Sequence, residues 1–318
     1  MSVQPSRIRL SLRGICVRRG GREVLRGLDL DVGEAEIVGL LGANGAGKTT
    51  AFHVLTGLLP ADAGEVVLDG EAMPPGDRRV RAAMGVVFQD PALDPRLSAR
   101  RNLELSADLF GVPAAQARAR IDGLLLEAGL ADRAGEAVKT FSGGMRRRVE
   151  IARALVHEPA ILVLDEPSTG LDEAAFRRTW ETFERLRSER GMTLLLTTHR
   201  ADEAERCDRI AILDGGRRVA FDTPDELRRR VRGDLVVLDC AQPAEVAEIL
   251  QRDLLLSARV LDGRVVLEHD RAHTWIPRIV EALPDGTLSA VQLRRTGMGE
   301  VYLELTGHEL DRDSAERL

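Results

Sequence analysis

Residues 42–50 read GANGAGKTT, which fits the phosphate-binding pattern G-x-x-x-x-G-K-[ST] with Gly42, Gly47, Lys48 and Thr49 at its fixed positions. Residues 36–41 before it are mostly apolar and strand-like. Residues 50–59 after it carry no Gly or Pro until Gly57 and read as a helix. That is the strand–loop–helix order in which the pattern works. Its glycines let backbone N–H groups curl around a β-phosphate, and the helix start adds N–H donors and the positive end of its dipole. Lys48 is placed to reach β- and γ-phosphates, and Thr49 to offer its hydroxyl to a magnesium ion. The loop implies a bound nucleotide and leaves its purpose open.

Composition supports the loop. Of 45 basic residues only Lys48 and Lys139 are lysine; the rest are arginine. A compact ammonium fits inside a phosphate loop where a wide guanidinium does not, so a lysine here is informative. The length of 318 residues allows one large domain with a small one, or two medium ones. With 44% hydrophobic and 30% charged residues, the chain can bury a sizeable core. A net charge of -6 argues against a general nucleic-acid surface, and no nucleic-acid partner is expected. Cys16, Cys207 and Cys240 match no metal or redox spacing and read as buried, reduced thiols. No apolar run approaches the ~18 residues of a membrane span, and the N-terminus lacks a secretory apolar core; a cytosolic chain is expected.

Taken in order, residues 8–17, 28–32 and 36–41 read as short strands broken at Gly14, Gly20-Gly21, Gly27 and Gly33. Residues 64–68 and 84–88 are further strands. Residues 98–135 read as helical with a break at Gly111-Val112-Pro113. Ser142 is a good N-cap for an Arg-rich helix over 146–157, and Gly143 and Gly144 let a ligand approach the backbone closely. Residues 161–164 are four consecutive apolar residues running into Asp165 and Glu166, the mark of a central strand of a parallel sheet. Ligand groups gather at the carboxyl ends of such strands. A helix (174–190), a strand (193–197), His199, a helix (201–207) and a strand (209–213) continue an α/β alternation.

Composition shifts after Thr223-Pro224. Residues 225–232 form a charged helical connector, and from 234 the order is strand, helix, strand, hairpin turn at Asp262-Gly263, strand, helix, strand. That β-α-β-β-α-β order is ferredoxin-like. A last apolar helix spans 298–306. His269, His273 and His308 have no ligand spacing, and His269 beside Asp270 suits a cap.

Five separated features stand in sequence order: the phosphate loop, Gln89, Phe141-Ser142-Gly143-Gly144-Met145, Asp165-Glu166 and His199. In this the chain resembles the ATP-binding cassette proteins over about residues 7–221. Residues 42–50 resemble the Walker A loop, 161–166 Walker B, and 141–145 the signature usually written LSGGQ. Residues 168–172 (STGLD) resemble the D-loop, and Gln89 and His199 the Q-loop and switch positions. The resemblance implies an α/β fold of the P-loop NTPase class: a nucleotide-binding domain over 1–224 with a mixed sheet and a helical subdomain at about 91–157. Beyond it, the residue pattern itself gives a connector over 225–233 and a small C-terminal α+β, ferredoxin-like domain over 234–318.

The resemblance further implies ATP and Mg2+ as ligands. Gly42, Ala43, Asn44, Gly45, Ala46, Gly47, Lys48, Thr49 and Thr50 cradle the phosphates; Thr49, Gln89 and Asp165 hold the metal. Glu166 orients or deprotonates the attacking water and His199 contacts the γ-phosphate, with Lys48 and Gln89 completing the catalytic set. Ser142, Gly143 and Gly144 face the phosphate loop of a second cassette. One phosphate loop and one signature cannot close that sandwich alone, so a head-to-tail pair is expected, either two copies or this chain with a related ATPase.

Two positions depart from the family pattern. Where an aromatic residue commonly stacks on adenine stands Arg19, whose planar face can also stack. The last signature residue is Met145 in place of Gln. Residues 88–98, the SGGM signature and the tail Tyr302-Leu303-Glu304-Leu305-Thr306-Gly307 resemble the ATPase subunits of ABC-2-type exporters, in particular the daunorubicin-resistance group. The implied partner is a separate transmembrane permease, contacted through about residues 91–136, with this chain peripheral on the inner face of the cell membrane. The alternatives are an importer ATPase, which would carry a small β-barrel tail, and a soluble ATPase acting on ribosomes or DNA, which would carry two cassettes or a coiled coil.

Overall fold

The computed structural model describes residues 7–231, 234–261, 263–269, 272–284, 286–294 and 297–310. Asp262, Asp270 and the ends of the connector and of the C-terminal region lie outside them. The chain divides into one unit running to Phe221 and a second over Asp222–Leu310.

In the first unit, β1 (Ile8–Arg19) and β2 (Arg22–Gly33) form a long hairpin, followed by β3 (Ile37–Leu41) and α1 (Lys48–Leu55). Sequence reading breaks this region into shorter strands at Gly14 and Gly27. Both glycines instead lie within the strands at positive φ, 57° and 74°, beside shifts in the β1–β2 register. They are bulges, which bend a strand without ending it. Next come β4 (Ala63–Leu68), β5 (Glu71–Met73), the short α2 (Arg78–Ala82) and β6 (Met84–Val87). Helices α3 (Ala99–Leu109), α4 (Ala114–Glu127) and α5 (Gly143–Leu155) pack on one another. Then follow β7 (Ile161–Asp165), α6 (Glu173–Arg190), β8 (Thr193–Thr198), α7 (Ala201–Ala204), β9 (Arg209–Asp214) and β10 (Arg217–Asp222).

These strands make two sheets. One is antiparallel, in the order β2-β1-β4-β5; the other has the order β10-β9-β3-β8-β7-β6. Strands β9, β3, β8, β7 and β6 run parallel. Every residue of β3, β7 and β8 is buried, as expected of strands covered on both faces. Helix α1 lies in a core shared by the two sheets, with Ala51, Phe52, Val54 and Leu55 against Leu10, Leu30, Val38 and Val163. Its buried apolar positions fall in its later turns, while Thr49, Thr50 and His53 stay half-exposed.

The second unit contains α8 (Pro224–Val231), β11 (Asp234–Cys240), α9 (Pro243–Leu254), β12 (Ala258–Leu261), β13 (Arg264–His269), α10 (Ala272–Ala282), β14 (Leu288–Arg294) and α11 (Met298–Thr306). Its sheet order, β12-β13-β11-β14, is antiparallel throughout, which is the ferredoxin-like arrangement. Val236, Leu238, Val246, Leu250, Val265 and Ile279 form its own core. Of the cysteines only Cys207 is fully buried; Cys16 and Cys240 are half-exposed, contrary to the reading of three buried thiols.

Candidate active site

Four adjacent parallel strands deliver the site at their carboxyl ends. From the sheet edge inward these are β6, β7, β8 and β3, and they lead into Gln89, Asp165-Glu166, His199 and the phosphate loop. The register places Asp165 beside Thr197 and Leu41 beside Thr198. The convergence follows from topology: parallel neighbours end on the same side of the sheet.

The loop over residues 42–47 joins β3 to α1, and Gly42 N–H donates to the Thr198 carbonyl at 3.2 Å. Gly47 is the residue before α1 and has φ 109°, outside the range of ordinary L-residues. Lys48 is buried, and its Nζ donates to the carbonyls of Gly42 (2.8 Å) and Ala43 (3.1 Å), so the ammonium sits inside the loop. It also lies 3.8 Å from Glu166 Oε1. Thr49 and Thr50 are half-exposed at the helix start.

Glu166 is the hub. It follows the last residue of β7 and takes φ 45°, a left-handed conformation that is uncommon for a non-glycine residue. Its N–H donates to both the carbonyl (3.2 Å) and the hydroxyl (3.1 Å) of Thr197. Its carboxylate faces His199 Nδ1 at 3.1 Å, and accepts from Gln89 Nε2 at 3.2 Å and Thr169 Oγ1 at 3.3 Å. The hydrogen bond with His199, helped by the Lys48 charge, holds the Glu166 carboxyl below its ordinary range against the opposing effect of burial. Glu166 is therefore ionised at neutral pH and able to accept a proton or orient water.

Asp165 differs from its neighbour. It is buried, and burial pushes its carboxyl up although the Thr197 hydroxyl donates to it. A buried carboxylate of this kind is relieved by a cation. With the Thr49 hydroxyl and the Gln89 amide oxygen it offers hard oxygen donors, the type Mg2+ takes alongside substrate phosphates.

The remaining sequence-predicted residues lie elsewhere. Ser142 caps α5, its hydroxyl accepting from Met145 N–H at 3.3 Å, and shares a surface cleft with Gly143, Gly144, Gly170, Leu171 and Asp172. None of residues 42–50 lines that cleft. Arg19 is exposed at the end of β1. Sequence reasoning missed Thr197 and named Thr169 only within the D-loop run, without the contacts by which the two fix the acids. Their signal was a bare hydroxyl one strand or one turn away, which nothing marks in the sequence. It also missed Glu203, fully buried, which accepts from the Ser168 hydroxyl.

Residues 25–169 match the ABC transporter family model. Along 94% of its length the chain is 37% identical to the daunorubicin resistance ATP-binding protein DrrA2 of Streptomyces coeruleorubidus, covering 95% of that protein. The chain belongs to the ABC transporter family. It is also 46% identical to the Nod factor export ATP-binding protein I of Paraburkholderia xenovorans, over 92% of this chain and 94% of that one. Among solved structures, an ATP-binding subunit of an ABC transporter is 31% identical with a TM-score of 0.63, over 70% of this chain and 92% of that one. A dimeric cassette in a post-hydrolysis state bound to ADP and Pi is 28% identical with a TM-score of 0.60, over 67% and 98%. As a member of this family the cassette is an ATPase.

Proposed function

We propose that this chain is the ATP-hydrolysing subunit of an exporter, peripheral on the inner face of the cell membrane and working with a separate transmembrane permease. Two cassettes close on ATP in this reading, and hydrolysis opens them. The observation that carries it is the placement of the two phosphate-recognising elements. The phosphate loop lies at the carboxyl ends of the parallel strands, while Ser142 and its glycines open onto a cleft that none of residues 42–50 lines. One chain therefore offers two halves of two different sites, and a complete site takes two molecules. The names of the relatives, drug resistance and Nod factor export, support export over import. No helix among the described residues is long and apolar enough to cross a membrane, which fits a partner that supplies the spans.

In the complete site, residues 42–50 hold the phosphates and Lys48 offsets their charge. Mg2+, held by Thr49, Gln89 and Asp165, would supply charge neutralisation at the phosphate oxygens. Glu166 orients the attacking water and takes its proton. His199 keeps Glu166 ionised through Nδ1 and leaves Nε2 for the γ-phosphate. The γ-phosphate bridges the two halves, so its loss removes the differential affinity for the closed state. Arg19 stacks on adenine in the same reading.

The test is complementation. Lys48→Ala disables the loop half and Ser142→Arg the signature half; each alone should hydrolyse little ATP. Mixed, they should recover activity through one intact composite site. Wild-type turnover by Ser142→Arg alone would remove the two-molecule site.

A further inference from the structure

Among the described residues strand β6 is the edge of its sheet, paired with β7 alone, so the outward carbonyls of Met84 and Val86, and that of Phe88 just past its end, need partners. Side chains at and just beyond helix α5 meet all three. Arg147 Nη1 donates to Phe88 O at 2.9 Å and Arg153 Nη2 to Val86 O at 3.3 Å, and His157 Nε2 lies 3.1 Å from Met84 O. The chain then turns through Gln89, and the polarity of the contacts reverses. Ala92 N–H donates to Glu150 Oε1 at 3.1 Å. Arg147 and Glu150 lie one turn apart on α5 and pair with each other at 3.1 Å. Both are almost completely buried.

A buried ion pair is costly unless further hydrogen bonds satisfy it, and apolar residues often replace one without loss of stability. Here the further bonds go to backbone groups flanking Gln89, one on each side. Loss of water lowers the Arg147 guanidinium and raises the Glu150 carboxyl, so each relies on the other and on that backbone. Helix α5 is also the helix that Ser142 caps.

We propose that Arg147 and Glu150 are positioning residues that clamp the Gln89 segment to the signature helix, so that Gln89 and Ser142 shift as one body. The clamp deepens the proposed role of Gln89 and rests on it.

Three variants of the full chain test it, each measured for ATP turnover, nucleotide affinity, melting temperature and amide exchange over residues 89–92. Arg147→Met with Glu150→Met removes the clamp without stranding a charge. It should melt near wild type and bind nucleotide within about twofold, yet lose at least tenfold in kcat and exchange faster over 89–92. The swap Arg147→Glu with Glu150→Arg restores an ion pair but aims an acceptor at Phe88 O and a donor at Ala92 N–H, so it should not rescue. Glu150→Gln keeps an acceptor for Ala92 but strands the buried Arg147 charge, so it should melt below wild type while exchange over 89–92 stays closer to wild type than in the Met pair. Wild-type kcat and exchange in the Met pair, or full rescue by the swap, would overturn the clamp. Should the swap fail to fold, the Met pair decides. Gln89→Ala run in parallel separates the two ideas: unchanged turnover there counts against the role of Gln89, while exchange over 89–92 still reports on the clamp.

Discussion

His199 Nδ1 lies 3.1 Å from Glu166 Oε1, and the two residues come from neighbouring parallel strands joined through a helix. This contact helps hold the Glu166 carboxyl below its ordinary range. Glu166→Gln keeps the shape and loses the base. ATP binding should survive, turnover should fall by about 10²–10⁴-fold, and a dimer should accumulate with ATP. Phosphate release with gel filtration checks this; a monomer that still releases phosphate at the wild-type rate would sink the assignment.

Gly47 has no room for a side chain. A Cβ there would stand 2.9 Å from Leu25 Cδ2 and 3.2 Å from Val24 O, on a backbone at φ 109°. Gly47→Ala should cost about 1–3 kcal/mol in stability and weaken nucleotide binding as the loop shifts. Denaturant melts and nucleotide titration measure the two effects separately.

Burial pushes the Glu203 carboxyl up, against hydrogen bonds from Ser168 and Thr198. The folded chain thus holds this proton more tightly than the unfolded one. The stability it contributes is complete below the ordinary value of 4.5 and is lost as pH rises through the raised folded value. Glu203→Gln stays neutral at every pH, so its melting temperature relative to wild type should rise between pH 5 and pH 8. An effect of ~1 kcal/mol corresponds to about 2–4 °C in a chain of this size. A parallel pair of curves would refute the linkage.

Arg19→Ala should weaken ATP binding about tenfold, near the low end of what base stacking contributes, while Arg19→Tyr should restore it. Equal affinity in all three proteins would mean that adenine is held elsewhere.

We expect the two units to be separable because each has its own apolar cluster. A chain lacking residues 223–318 should fold and bind ATP with an unchanged Kd. A folded truncation that fails to bind would place part of the nucleotide site in the second unit.

Much of this was legible in the sequence because the signals are local. The phosphate loop is a contiguous run whose glycines and lysine serve one turn of backbone. Asp165 and Glu166 end an apolar run that only a doubly covered strand tolerates. The order of strands and helices from β11 to β14 could be read from alternation and turn residues. What sequence alone left open is what depends on neighbours across the sheet. Gln89 and Glu166 stand 77 residues apart and touch because β6 and β7 are parallel and end together. Thr197 and Thr169 are ordinary hydroxyls until register and a tight turn bring them to the acids. In the sequence Arg147 and Glu150 are two charges on an Arg-rich helix, and only the tertiary structure sets Arg147 against the carbonyl of Phe88, just past an edge strand, and Glu150 against the N–H of Ala92. The same holds for residues 42–50. As a string they specify a phosphate, and with one signature they already imply a pair; what the tertiary structure adds is that Ser142 opens onto a cleft that none of them lines, because β3 and α5 carry the two elements to separate places.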